Sequence, residues 1–113
     1  MRKIYRTKFF DEFYDGLSES GKEKVEYVLF LLTEMKIIHS KFVKKLIDTE
    51  FYELRVSADN EYRIIVFPVN ADNVIQATEV VLLNGFIKKS TKDYKGQIIR
   101  ARSIVNSVYE GEE

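Results

Sequence analysis

The chain has 113 residues, 45% hydrophobic and 32% charged, enough for one domain with a single modest core. Without cysteine, a disulfide framework and a thiolate zinc site are excluded, and the composition fits a reducing cytosol without establishing one. Eighteen basic and eighteen acidic side chains cancel, so bulk charge gives no reason to expect nucleic acid.

Residues 2–7, RKIYRT, form a short candidate strand. Phe9, Phe10, Phe13, Tyr14 and Leu17 then fall at the spacing of one helical face, with Gly16 near its end. Ser18 or Ser20 opens a second helix. Ser20 and Glu23 have the form of a capping box, and Val25, Val28, Leu29 and Leu32 keep a helical stripe to about Lys36. Residues 37–48 fit a loop, a turn of helix, or both.

After them the hydrophobic period changes from helical to alternating. FYELRVS (51–57) and EYRIIVFPV (61–69) read as strands joined by the turn residues ADN. VIQATEVVLLNGFIKK (74–89) follows a second turn, NADN, as a long third strand. Ile98, Ala101, Val105 and Val108 mark a last helix, capped by Ser90 or Thr91 with Asp93 in its first turn. The N-terminus lacks the apolar stretch of a signal peptide, and no apolar run approaches the length of a membrane span. The expectation is a single α+β domain over residues 1–113 in the order β-α-α-β-β-β-α. Its sheet is curved and mainly antiparallel, with helices packed on one face.

Charge is unevenly placed. Residues 86–102 hold six basic side chains (Lys88, Lys89, Lys92, Lys95, Arg100, Arg102) and one acidic, Asp93. Such a block can attract an anion even on a neutral protein. Taken alone, Lys88 and Lys89 also fit a device that blunts a strand end, and Arg55 and Arg63 also fit solvated strand residues paired with Glu53 or Glu61. The hairpin register matters here. A three-residue loop, Ala58-Asp59-Asn60, sets Arg55 directly opposite Arg63, a repulsive pair best tolerated where an anion bridges it. A two-residue loop sends the two arginines to opposite faces. His39, the only histidine, reads as a surface residue. No spacing of the metal-binding, P-loop or dinucleotide kind occurs.

KKLIDTEFYELRVSADNEYRIIVFPV resembles the central hairpin of RelE/HigB-type toxins, and VVLLNGFIKKSTKDY resembles the LLxGFxKK signature of their phage-derived HigB-like branch. The element order is similar along nearly the whole chain. The resemblance implies a RelE-like fold and a cytoplasmic endoribonuclease that cuts messenger RNA at the ribosome. It implies no metal or other cofactor, and a cognate antitoxin as partner. Chemically, the 2′-hydroxyl attacks the adjacent phosphate, which needs a base, a cation on the phosphate and an acid for the leaving 5′-oxygen. By the same resemblance, Arg63 is the phosphate-stabilising arginine, Lys88 a second catalytic cation and Tyr94 the aromatic residue beside the scissile nucleotide. Arg55, Lys89, Lys92 and Asn84 are expected substrate contacts. Asn84 stands where many relatives carry histidine, and asparagine cannot act as a general base. Glu53 stands where some relatives place lysine; it could be a base, or simply pair with Arg55. The alternatives are a ParE-type gyrase-binding toxin and an inactive interaction module of the same fold.

Overall fold

The computed structural model describes residues 1–109. In chain order these form β1 (Lys3–Arg6), α1 (Lys8–Asp15), α2 (Glu19–Glu34), β2 (Val43–Lys45), β3 (Tyr52–Ser57), β4 (Glu61–Pro68), β5 (Glu79–Ile87) and α3 (Asp93–Tyr109). The strands make one sheet in the order β1-β5-β4-β3-β2, with β1 parallel to β5 and the other pairs antiparallel. None of the described helices is long and apolar enough to cross a membrane.

Short side chains set the helix starts. The Thr7 hydroxyl accepts from Phe10 N at 3.2 Å, and the Ser18 hydroxyl from Gly21 N at 3.1 Å. Each satisfies one of the amides that a first helical turn leaves unbonded. Ser18 is therefore the cap of α2, and the Ser20–Glu23 box is not its start.

Three expectations change. The segment 37–48 contains β2, a three-residue edge strand paired with β3, so the order gains a strand. The last strand begins at Glu79, not at Val74. Residues 70–78 fold back on themselves, with Asn73 Oδ1 accepting from Gln76 N at 2.8 Å and Asn70 Oδ1 from Thr78 N at 3.1 Å.

The third correction concerns layering, for the helices do not share one face. Phe10 of α1 and Val25, Val28 and Leu32 of α2 pack on Leu54, Val56, Ile64, Val66 and Leu82. Ala101 and Ile104 of α3 pack on the other side, against Phe51, Ile65, Val81, Leu83 and Phe86. The central strands are apolar on both sides because both sides are covered.

A β-bulge decides which residues reach the α3 side. Ile65 pairs with Asn84 but its neighbour Val66 pairs with Leu82, so Leu83 is the extra residue. Under strict alternation Asn84, Phe86 and Lys88 would follow Leu82 beneath α1 and α2. The bulge moves all three to the side of α3. Gly85 then points at α1. A Cβ there would lie about 2.5 Å from Phe13 Cε2 and 2.7 Å from Phe13 Cγ, the root of the ring, so only bare backbone fits unless α1 shifts. The glycine of the NGF stretch is thus a packing requirement beside the basic residues that follow it.

Candidate active site

The hairpin takes the three-residue loop. Ser57 pairs with Glu61, and Arg55 lies directly opposite Arg63 on the side of α3. The anion that makes this tolerable comes from the chain itself. Glu53 is 2% exposed. Its Oε1 accepts from Arg55 Nε at 2.9 Å, while its Oε2 lies 4.0 Å from Arg63 Nε and makes no hydrogen bond. A buried carboxylate oxygen left without a donor is costly unless something else approaches it.

Arg63 is nearly enclosed, at 6% exposure. Its Nε donates to the Tyr94 hydroxyl at 3.1 Å, and its Nη1 to the Tyr62 carbonyl at 2.9 Å and the Glu61 carboxylate at 3.4 Å. Tyr94 also meets Lys88, whose Nζ sits 5.7 Å from the ring centroid, within cation–π range. Phe86 holds the ring from a third side, edge to face at 5.5 Å. Arg63 and Lys88 therefore lie on one side of the sheet, joined by one tyrosine. Lys88 Nζ forms no ion pair among the described residues. Its backbone N–H donates to Glu61 O at 2.8 Å, which continues the β4–β5 ladder one step and fixes where the side chain leaves the sheet.

Protonation follows from these contacts. Burial, then the Glu53 carboxylate, push the Tyr94 hydroxyl above the ordinary tyrosine value, with Arg63 partly opposing, so Tyr94 keeps its proton at neutral pH. The Ser57 hydroxyl and, after it, Arg63 hold Glu61 below the usual glutamate range. Asp93 is held low by the backbone N–H groups of Lys89 and Ser90, donating to its Oδ2 at 2.8 and 2.9 Å. That carboxylate at the start of α3 fixes the turn that delivers Tyr94.

An open cleft of about 390 Å³ runs over this group, with Glu53, Arg55, Lys88 and Tyr94 in its walls. Three expected substrate contacts lie elsewhere. Lys89 and Lys92 are exposed outside it. Asn84 is 1% exposed and donates to the side-chain and main-chain oxygens of Gln97 at 2.9 and 3.3 Å. It fastens α3 to the sheet, with its own Oδ1 unbonded. Sequence reasoning passed over Lys44 and Lys45, which line the cleft from β2, Lys44 directly opposite Glu53. A three-residue strand is too short for alternation to reveal. For Glu53 the sequence left two roles open, a base or a partner of Arg55, and the structure shows the pairing with Arg55.

The model of the family described as Phage derived protein Gp49-like (DUF891) matches residues 12–106. The chain belongs to the Gp49-like family. The matched span includes every side chain just placed around the cleft. Curated protein sequences give no significant match. Among solved structures, the Gp49-like chain is similar to the E. coli toxin RelE, an arginine double mutant in the free state, at TM-score 0.62 and 13% identity over 88% of this chain and 96% of that one. A crystal form of the isolated E. coli RelE toxin gives TM-score 0.61 at 13% identity, over 88% and 98%. At such identity the likeness establishes the fold. The expected family and the RelE-like α+β fold are thereby borne out.

Proposed function

We propose that this Gp49-like protein is a toxin that cleaves messenger RNA without a metal. The observation that carries the reading is Arg63, Lys88 and Tyr94 meeting beside the buried Glu53 carboxylate. In this reading the Glu53 carboxylate, in the wall of the cleft, takes the proton from the 2′-hydroxyl as that oxygen attacks the adjacent phosphorus. Arg63 and Lys88 stabilise the charge gathering on the phosphate oxygens. The P–O5′ bond breaks, and the Tyr94 hydroxyl, which retains its proton at neutral pH, gives it to the departing 5′-oxygen. The products are a 2′,3′-cyclic phosphate and a 5′-hydroxyl.

Four cations, Lys44, Lys45, Arg55 and Lys88, stand in the walls of the cleft against the single carboxylate of Glu53, with the buried Arg63 close to that carboxylate. A chain of zero net charge then meets RNA through one patch. A cognate antitoxin with acidic side chains is the complementary partner for the same patch, and the ribosome is where a messenger RNA would be presented. Primer extension on cellular messages after induction tests the reading. Discrete cuts inside reading frames are expected. Intact messages accompanied by DNA damage would instead favour a gyrase-binding toxin, and intact messages without damage an inactive interaction module.

A further inference from the structure

We infer that the turn between β2 and β3 carries a subsite for one unpaired nucleobase, with Ile47 as its outer wall. This rests on the ribonuclease reading and adds the contact that selects the nucleotide beside the scissile phosphate.

Ile47 is 83% exposed. A lone exposed isoleucine is ordinary, so exposure is only the starting point. Its mount is unusual. Within the turn, Leu46 N donates to Phe51 O at 3.0 Å, the Thr49 hydroxyl to Leu46 O at 2.8 Å, and Phe51 N to the Thr49 hydroxyl at 3.0 Å. Asp48 takes the left-handed conformation, φ 59°, at the apex. Leu46 and Phe51 anchor the turn in the α3-side core. Arg102 of α3 reaches Glu50 at 2.5 Å and lies 5.2 Å over the Phe51 ring, which ties the turn to the helix that also carries Tyr94. A side chain held this way cannot easily fold back to hide its apolar surface.

Ile47 faces the same cleft as Tyr94 and Ile98, while Lys44, Lys45 and Lys88 stand around it. Apolar walls within a ring of cations match a nucleotide, whose base has apolar faces and whose phosphate is anionic. An inorganic phosphate would use the cations alone. A base seated between Ile47 and Tyr94 places its own phosphate toward Arg63 and Lys88. The larger face of a purine covers more of both walls, so the subsite favours a purine.

The test maps RNA 5′ ends in cells after induction of the parent, Ile47→Ala, Ile47→Asp and Ile47→Val. Because Ile47 is solvent-exposed, all four proteins are expected to melt at the same temperature. The parent is expected to cut with a purine bias at one position flanking the scissile bond. Ile47→Ala and Ile47→Asp lose that bias, and Ile47→Val keeps it. An unchanged base distribution in Ile47→Asp, or a loss of cuts equal at all sites, overturns the subsite and leaves the ribonuclease reading standing. A parent that makes no cuts overturns the ribonuclease reading and the subsite together.

Discussion

Arg63→Ala combined with Lys88→Ala is expected to abolish growth arrest on induction. One well-placed donor to developing charge is worth about 3–4 kcal/mol, or roughly 10²–10³ in rate. Both cations act on one phosphate, so their effects do not simply add. The expected loss in cleavage is at least about 10³-fold. The single variants separate two contributions. Lys88 is half-buried and forms no ion pair among the described residues, so Lys88→Ala removes a cation and leaves the fold intact. Arg63→Ala does more, because it leaves Glu53 held by Arg55 alone and takes the donor from the Tyr94 hydroxyl. Its melting temperature should fall along with its activity. Growth after induction at matched protein level is the measurement. A double variant as toxic as the parent would show that these residues do not carry the activity.

Arg2→Ala is expected to give the largest loss of stability. Arg2 is 6% exposed, and its guanidinium donates to five carbonyls. Leu32 O at 3.0 Å, Met35 O and Lys36 O at 2.7 Å belong to the end of α2 and the residues just after it. Val74 O at 2.8 Å and Ile75 O at 3.2 Å belong to the β4–β5 connection. A cation at a helix C-terminus satisfies carbonyls that have no intrahelical partner and offsets the negative end of the helix dipole. Hydrogen bonds to a charged group contribute about 1.5–3 kcal/mol each, less the cost of burying the charge. A net loss of about 3 kcal/mol follows, or a melting temperature lower by roughly 10 °C or more. Thermal unfolding followed by circular dichroism checks it, and an unchanged midpoint would mean that water replaces the arginine without cost. The cleft lies outside this cluster, so cleavage by the remaining folded protein should persist.

Nothing in MRK announces that role. The partners of Arg2 are carbonyls about 30 and 70 residues away, invisible to any local pattern. The helical hairpin and the β3–β4 hairpin were legible because their periodicities are strong and their turns short. Layering was also written in the chain, in the unbroken apolar runs IIVF and VVLL, which mark strands covered on both sides rather than one. Reading those strands as strictly alternating concealed it.

The site was legible in part, for the same kind of reason. Arg63, Lys88 and Tyr94 come together, yet the face that Lys88 takes depends on a single extra residue at Leu83. A bulge shifts every later side chain by one face, and sequence periodicity cannot locate it once both faces are apolar. The two roles that the sequence left open for Glu53 depend on the hairpin register, and with Arg55 directly opposite Arg63 its carboxylate lies between the two arginines. Asn84 was an expected substrate contact by resemblance, at a position where many relatives carry histidine. Its burial against Gln97 makes it a fastener of α3.

The chemical ends of the cleaved RNA test the central claim most directly. Attack by a neighbouring 2′-hydroxyl, with Glu53 as base and Tyr94 as acid, must leave a 5′-hydroxyl on the downstream fragment and a 2′,3′-cyclic phosphate on the upstream one. Fragments that a polynucleotide kinase labels directly, without prior phosphatase treatment, are the predicted result. Downstream fragments bearing a 5′-phosphate would mean that water, not the 2′-oxygen, attacks the phosphorus, and would contradict the roles assigned here to Glu53 and Tyr94.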